Sequence, residues 1–389
     1  MGFDDVSIDQ RRADASLKWS RHPQALGAWV AEMDFPTPDV VRQAVTQQLA
    51  ASHLGYPTPA DKAALVAATV EHLATQHAWQ VAPEAVFVTP DVLSLFTLTI
   101  AQLTRPGSAV VVPTPAYFPF LTLPALHGRE VIEVPSAADA AGRYRLDLAG
   151  IEAALAAGAG LVVLCNPWNP VARVLERAEL SALADLVNRY DALVFADEIH
   201  APLVLPHAPR HVPYASLPTA APHTIAAYSA TKAWNMPALK CAQGVVVDAQ
   251  LRARLLPWQD PLAALHSPLG ASATVAAYRH AQPWLTELTS YLARGADIWQ
   301  QTLADHPLMR PVSLEGTYLA WLDCRALADR LPAATSVQDF FLRQAGVDVI
   351  DGRACGRDFG PYVRVNLATS HALVTQMADR LRAAADSLQ

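Results

Sequence analysis

The stretch "GLVVLCNPWNPVARVLERAELSALADLVNRYDALVFADEIH", residues 160–200, decides the fold. "GLVVLCNP" (160–167) and "ALVFADE" (192–198) contain short, β-branched apolar runs of strand length. Between them, "RAELSALADLVNRY" (177–190) repeats its apolar residues at helical spacing. Strand, helix and strand in that order describe a parallel pair with a helical crossover. Strands that are apolar on both faces belong to a sheet covered by helices on each side.

The alternation continues both ways. "AVFVTP" (85–90), "SAVVVPTP" (108–115), "VIEVP" (131–135), "HTIAAYS" (223–229) and "GVVVD" (244–248) read as further strands, and "VLSLFTLTIAQLT" (92–104) as a buried helix. "DVVRQAVTQQLA" (39–50) and "KAALVAATVEHLATQHAW" (62–79) are also helical. After about residue 285 the character changes to a long helical stretch, strand-like "GTYLAWLD", "VDVI" and "YVRVNLAT", and a final helix. The expected organisation is an N-terminal segment 1–45 that joins the small domain, a large domain 46–284 and a small α/β domain 285–389. At 389 residues the chain is too long for one ordinary core.

Composition removes several function classes. A formal charge of −7 and a pI near 6.0 lack the basic surface that a nucleic-acid partner needs. The mean hydropathy is +0.16, yet no uninterrupted apolar run approaches the roughly 18 to 20 residues that span a bilayer. The acidic, polar N-terminus does not read as a secretory signal, so a cytoplasmic protein without membrane partners is expected. Cys165, Cys241, Cys324 and Cys355 are scattered without zinc-site spacing and are expected to be reduced thiols.

In a parallel sheet, functional groups gather where strands end at their carboxyl side. Here those ends carry Asn166 and Asn169, then Asp197, Glu198 and His200, then Ser229 and Lys232, with Tyr117 after "VVVPTPAY". "YSATKAWNMPALK" (228–240) also holds two of the four lysines, Lys232 and Lys240, among 29 basic residues. An amine can form a Schiff base with an aldehyde and a guanidinium effectively cannot, so chemistry and chance both stand as explanations. Lys18 and Lys62 have no such setting and are expected in solvent.

The ordered set "WVAEMDFPTP", "GYPTP", "VTPDVLS", "PTPAYFPF", "CNPWNP", "ADEIH", "SATKAWNMPALKCAQ" and "YVRVNLAT" resembles the fold-type I pyridoxal-phosphate enzymes, from about residue 25 to the end. Within them it is similar to the cystathionine beta-lyase or carbon–sulfur lyase branch of the class I/II aminotransferase superfamily. The resemblance implies an aminotransferase-like α/β fold, with a seven-stranded, mostly parallel sheet and a smaller C-terminal domain. It implies pyridoxal 5'-phosphate as cofactor, an amino-acid substrate, and a homodimer that shares its active sites.

The same resemblance assigns roles. Lys232 would join the cofactor aldehyde and later remove the substrate's α-proton. Asp197 would pair with the ring nitrogen, with a turn or N-cap aspartate as the alternative. Asn169 would hydrogen-bond the ring's phenolic oxygen, and His200 stands where transaminases usually carry tyrosine. Tyr117 would stack on the ring or simply pack. Asp91 and Val92 open a helix toward the phosphate, with a Ser229 hydroxyl and the Lys240 charge. A carboxylate facing phosphate would repel it. The Asp91 side chain is therefore expected to cap the helix and turn away while its amide binds, and a plain N-cap is the alternative. Tyr56 would reach the neighbouring subunit's phosphate. Arg364 would fork onto the substrate carboxylate, or form a structural ion pair, and Trp29 would line the entrance or pack in the core.

The asparagine loop departs from the branch's usual NPHNPTG, because it reads "NPWNPVA". Trp168 is then either neutral drift or one wall of a pocket for an S-conjugate bulkier than cystathionine. Three outcomes remain open on this scaffold. They are β-elimination to thiol, pyruvate and ammonia; transamination or decarboxylative, oxidative deamination of an S-substituted cysteine; and a regulatory protein that only binds the cofactor.

Overall fold

The computed structural model describes residues 2–13, 16–52, 54–140 and 142–388. Its central sheet has seven strands: β1 Val86–Thr89, β2 Val110–Thr114, β3 Val131–Pro135, β4 Leu161–Cys165, β5 Leu193–Asp197, β6 Thr224–Tyr228 and β7 Ala242–Val245. Their order is β1-β7-β6-β5-β4-β2-β3. β7 runs antiparallel to both its neighbours, β1 and β6, and the other adjacent pairs are parallel. The alternation of apolar runs and helices thus produces the largely parallel, helix-covered sheet expected of it.

β7 begins two residues before "GVVVD", because Gln243 is a polar residue that the sheet accommodates. Its side chain is buried and accepts a 3.0 Å bond from Tyr278 Oη. At the other end, Asp248 leaves the strand and caps the next helix through the Gln250 and Leu251 amides. That helix, Ala249–Ala263, contains Pro257 and Pro261, which hid it from the periodicity reading.

The smaller sheet joins Arg310–Pro311, Leu319–Asp323, Tyr362–Asn366 and Ile350–Asp351, in that spatial order and antiparallel. "VDVI" divides in two. Ile350–Asp351 joins this sheet, while Val347–Asp348 pairs in parallel with Leu26–Gly27. The N-terminal segment is thereby tied to the C-terminal region. At Gly27 the chain passes so close to the first helices that a Cβ would lie 2.2 Å from Lys18 O.

Lys18 corrects an expectation. It is buried, not solvated, with Nζ 2.9 Å from Asp34 Oδ2 and 3.3 Å from Ala368 O. Asp34 also accepts from Trp19 Nε1 at 2.8 Å. A buried ammonium is tolerable only with such partners, and the carboxylate that supplies one lies in "AEMDF". Lys62 is on the surface, paired with Asp260 at 3.0 Å.

Candidate active site

β4, β5 and β6 run side by side, and their register aligns Cys165 with Asp197 and Asp197 with Ala227. The residues that follow these strands therefore emerge at one edge of the sheet. There they line a cavity of about 250 Å³ together with Trp29, Asp91, Val92, Tyr117, Lys240 and Arg364. Asn169, Asp197, His200, Ser229 and Lys232 complete the set brought together from the sequence. Tyr56 and Trp168 are not part of it.

Lys232 lines this cavity with a perturbed amine. Burial, aided by the Arg364 charge, lowers its amine to about 8. Its Nζ donates to Ala31 O at 2.8 Å, and Tyr318 Oη donates to the same oxygen at 3.1 Å. Ala31 and Tyr318 were not singled out in the sequence. A backbone carbonyl leaves no mark on residue type, and Tyr318 meets the site through that carbonyl and edge-on to the His200 ring, with centroids 6.2 Å apart.

Asp197 is raised to about 7 by burial, with the neighbouring Glu198 charge adding to the shift. Among the described residues its Oδ1 accepts only the Ile199 amide, at 3.1 Å. His200 is pushed down to about 3 by burial and by the Lys232 and Arg364 charges, so its ring is neutral. Its Nδ1 is buried and has no protein partner among the described residues.

Arg364 donates through Nη1 to Asn169 Oδ1 at 3.1 Å and through Nη2 to Trp29 O at 2.9 Å, which leaves Nε buried and without a partner among the described residues. Trp29 Nε1 is bonded to Lys18 O at 3.2 Å, and Arg21 lies 4.0 Å over its ring. The cavity wall at Trp29 is thus held by the buried N-terminal segment. Tyr117 stands edge-on to Phe118 and Phe120, with ring centroids 5.0 and 5.7 Å away.

At the cavity's other end, Asp91 caps the helix Val92–Gln102 and its Oδ2 lies 3.1 Å from Lys240 Nζ. The first amides of that helix have no intrahelical acceptor. Ser229 Oγ donates to Cys241 O at 2.7 Å and lies 2.8 Å from Thr231 Oγ1. Thr231, which also lines the cavity, is a second hydroxyl that the sequence reading passed over, although it stands in the quoted "SATK".

Trp168 requires a correction. Its indole is buried in the core, where Nε1 donates to Pro115 O at 2.9 Å, and it does not line the cavity. The cause is the local turn. Trp168 N donates to Arg173 O and Ala172 N to Trp168 O, both at 2.7 Å, and the ring turns back beneath the sheet's edge. Tyr56 lies on the surface, 90% exposed.

The donor set fits pyridoxal phosphate. A buried carboxylate with one amide partner suits a protonated ring nitrogen. An amine of lowered pKa suits an aldehyde, and a helix start with hydroxyls and an ammonium suits a phosphate. The buried, unpartnered Arg364 Nε suits a carboxylate.

Residues 30–381 match the family of class I and II aminotransferases. The chain is 31% identical to a cystathionine beta-lyase of Corynebacterium glutamicum, over 96% of this chain and 98% of that protein. It is 28% identical to cystathionine beta-lyase PatB of Bacillus subtilis, over 99% and 100% of the two chains. The fold is similar to the crystal structure of a candidate PLP-dependent beta-cystathionase from Corynebacterium diphtheriae, with a TM-score of 0.89 and 34% identity over 99% of both chains.

Proposed function

The chain belongs to the class I and II aminotransferase family, and from that membership we propose that it is a pyridoxal-5'-phosphate-dependent carbon–sulfur β-lyase. Its substrate is cystathionine or another S-substituted L-cysteine, converted with water to a thiol, pyruvate and ammonia. The observation that carries this proposal is one cavity in which the lowered Lys232 amine stands with Asp197 and Arg364. Relatives named as cystathionine beta-lyases choose among the reactions such a cavity can host.

When bound, the cofactor supplies an electron-accepting ring that stabilises negative charge at the substrate's α-carbon. Asp197, a buried carboxylate lining the cavity, would hold a proton on the ring nitrogen. Asn169 has its oxygen engaged by Arg364, so its Nδ2 hydrogens are available to an acceptor in the cavity. Arg364 orients the substrate through its α-carboxylate. Lys232 accepts the proton from the α-carbon, and the sulfur substituent then departs from the β-carbon as thiolate. His200, neutral and unpartnered at Nδ1, is placed to position or relay a proton near Lys232.

Tyr56 belongs to a homodimer in this proposal. An aromatic ring 90% exposed on the protomer gains cover by entering the other protomer's cavity beside the phosphate. Segment 1–45 and residues 285–389 are taken as one small domain and 46–284 as the large one, supported by the pairing of Leu26–Gly27 with Val347–Asp348. Four free thiols are consistent with a reducing cytoplasm.

The test is a paired assay on L-cystathionine and an S-alkyl-L-cysteine, following thiol, pyruvate and carbon dioxide, with Lys232→Ala as blank. Equal thiol and pyruvate that vanish in the blank support the lyase. Carbon dioxide with an aldehyde, or an oxo acid with an aminated acceptor, refutes it.

A further inference from the structure

The Asp91 carboxylate occupies the cation that the proposed function offers to a phosphate. Its Oδ1 accepts from Ser94 N and Ser94 Oγ, each at 2.8 Å, and its Oδ2 lies 3.1 Å from Lys240 Nζ. Lys240 is the cation a phosphate at this helix start would use, and the Ser94 bonds hold the carboxylate beside it. Asp91, Val92 and Lys240 all line the cavity.

Lys240 has a fixed anchor. Its backbone sits at φ +44°, and Ser267 N donates to its carbonyl at 3.1 Å. The helix Pro268–His280 presses so closely on this turn that a Cβ at Gly270 would lie 2.0 Å from Leu239 O. Asp91 is the one ion-pair partner of Lys240 among the described residues. Burial pushes the Asp91 carboxyl up, but the Ser94 and Lys240 contacts outweigh it and hold it below its ordinary value. At neutral pH it is an anion.

We propose, resting on the assignment of this cavity to pyridoxal phosphate, that Asp91 competes with the cofactor's phosphate for Lys240 and the helix start, and so sets how tightly the protein holds its cofactor. An arriving phosphate shares one ammonium with a carboxylate, and the two like charges oppose each other. Side-chain exposures of 60% for Lys240 and 35% for Asp91 mean that water screens this opposition, so its size is modest. Half-saturation then falls at a higher free cofactor concentration than it would at a site without the carboxylate. The competition acts on the phosphate, and Asp197 and Asn169, which would hold the ring, take no part in it.

Asp91→Asn separates charge from capping, because asparagine caps a helix start about as well as aspartate. Dissociation constants for pyridoxal phosphate, and for pyridoxal, which lacks the phosphate, are measured by equilibrium dialysis on wild type and variant. The expected result is pyridoxal phosphate held at least about threefold more tightly by the variant, with pyridoxal held equally by both. Raising the salt should shrink the difference. Unchanged or weaker binding of pyridoxal phosphate by the variant overturns the competition. So does an equal tightening of both ligands, which would place the effect in the cavity as a whole. If wild type binds neither ligand, the cofactor assignment itself falls and the competition falls with it.

Discussion

Arg364 Nη1 donates to Asn169 Oδ1 at 3.1 Å, a bond between residues 195 positions apart that ties the small sheet to the end of β4. It fixes two things at once: which face of the Asn169 amide meets the cavity, and the plane of the guanidinium. The fork is further held by Trp29 O. A lysine offers a single ammonium and cannot keep both bonds while meeting a carboxylate. Arg364→Lys should therefore raise KM for the amino-acid substrate by about 10- to 100-fold, the loss of one or two charge-assisted hydrogen bonds. kcat should change less. Equal KM values for variant and wild type would remove Arg364 from substrate binding.

Lys232, lowered to about 8 by burial and the Arg364 charge, predicts the pH dependence of cofactor uptake. Only the neutral amine attacks an aldehyde. On the cofactor-free protein, the rate at which the cofactor's visible absorbance appears should climb about tenfold per pH unit below 8. Above 8 it should level off. A climb that continues to pH 10 would mean that the amine keeps its ordinary value near 10.5. Lys232→Ala should lower product formation by at least about 10²- to 10⁴-fold, the usual contribution of a positioned base.

The main elements were legible because apolar runs of strand length recur between helical repeats, and "VVLCN", "VFADE" and "AAYSATK" each place a polar group at a strand's end. The fine structure of the site was less so. That Lys232 rests on Ala31 O depends on a backbone atom 201 residues away. The direction of the Trp168 ring depends on the turn to Arg173, and neither relationship leaves a periodic signal. The burial of Lys18 was concealed for a similar reason, since Asp34 becomes its partner only after the N-terminal segment folds back.

Asp197, raised to about 7 from an ordinary 3.8 chiefly by burial, makes the cofactor-free protein's stability depend on pH. A raised folded-state value means that the native chain binds its proton more tightly than the unfolded chain. The contribution is fully present below pH 3.8 and is lost as pH rises to about 7. Asp197→Asn carries no such loss, so its stability relative to wild type should grow across that window, by on the order of 4 kcal/mol at most. Denaturant unfolding of both cofactor-free proteins at pH 5 and pH 7.5 measures it. A constant difference between them would refute a buried, titrating Asp197.

Lys18→Met tests the ion pair beneath the cavity wall. Asp34 would keep its Trp19 bond but lose its cation, leaving a buried charge uncompensated. Breaking one partner of such a pair costs about 3–5 kcal/mol. Because the Lys18 carbonyl also holds Trp29, the variant should show disturbed substrate binding as well as a lower denaturation midpoint. A change below about 1 kcal/mol would place the pair with ordinary surface ion pairs.

Trp168→Phe addresses whether the unusual asparagine loop alters specificity. The indole lies in the core and donates to Pro115 O, so the substitution removes one hydrogen bond and leaves a buried carbonyl without its donor. The expected cost is about 1–3 kcal/mol of stability, with the smaller ring adding a void. The cavity wall is formed by other residues. The ratio of kcat/KM for an S-benzyl-L-cysteine to that for L-cystathionine should therefore stay within about twofold of wild type, since discrimination arises from pocket contacts the variant leaves in place. A larger change in that ratio would show that the core indole shapes the pocket through the loop carrying Asn169, and that the departure from the usual loop sequence affects substrate choice.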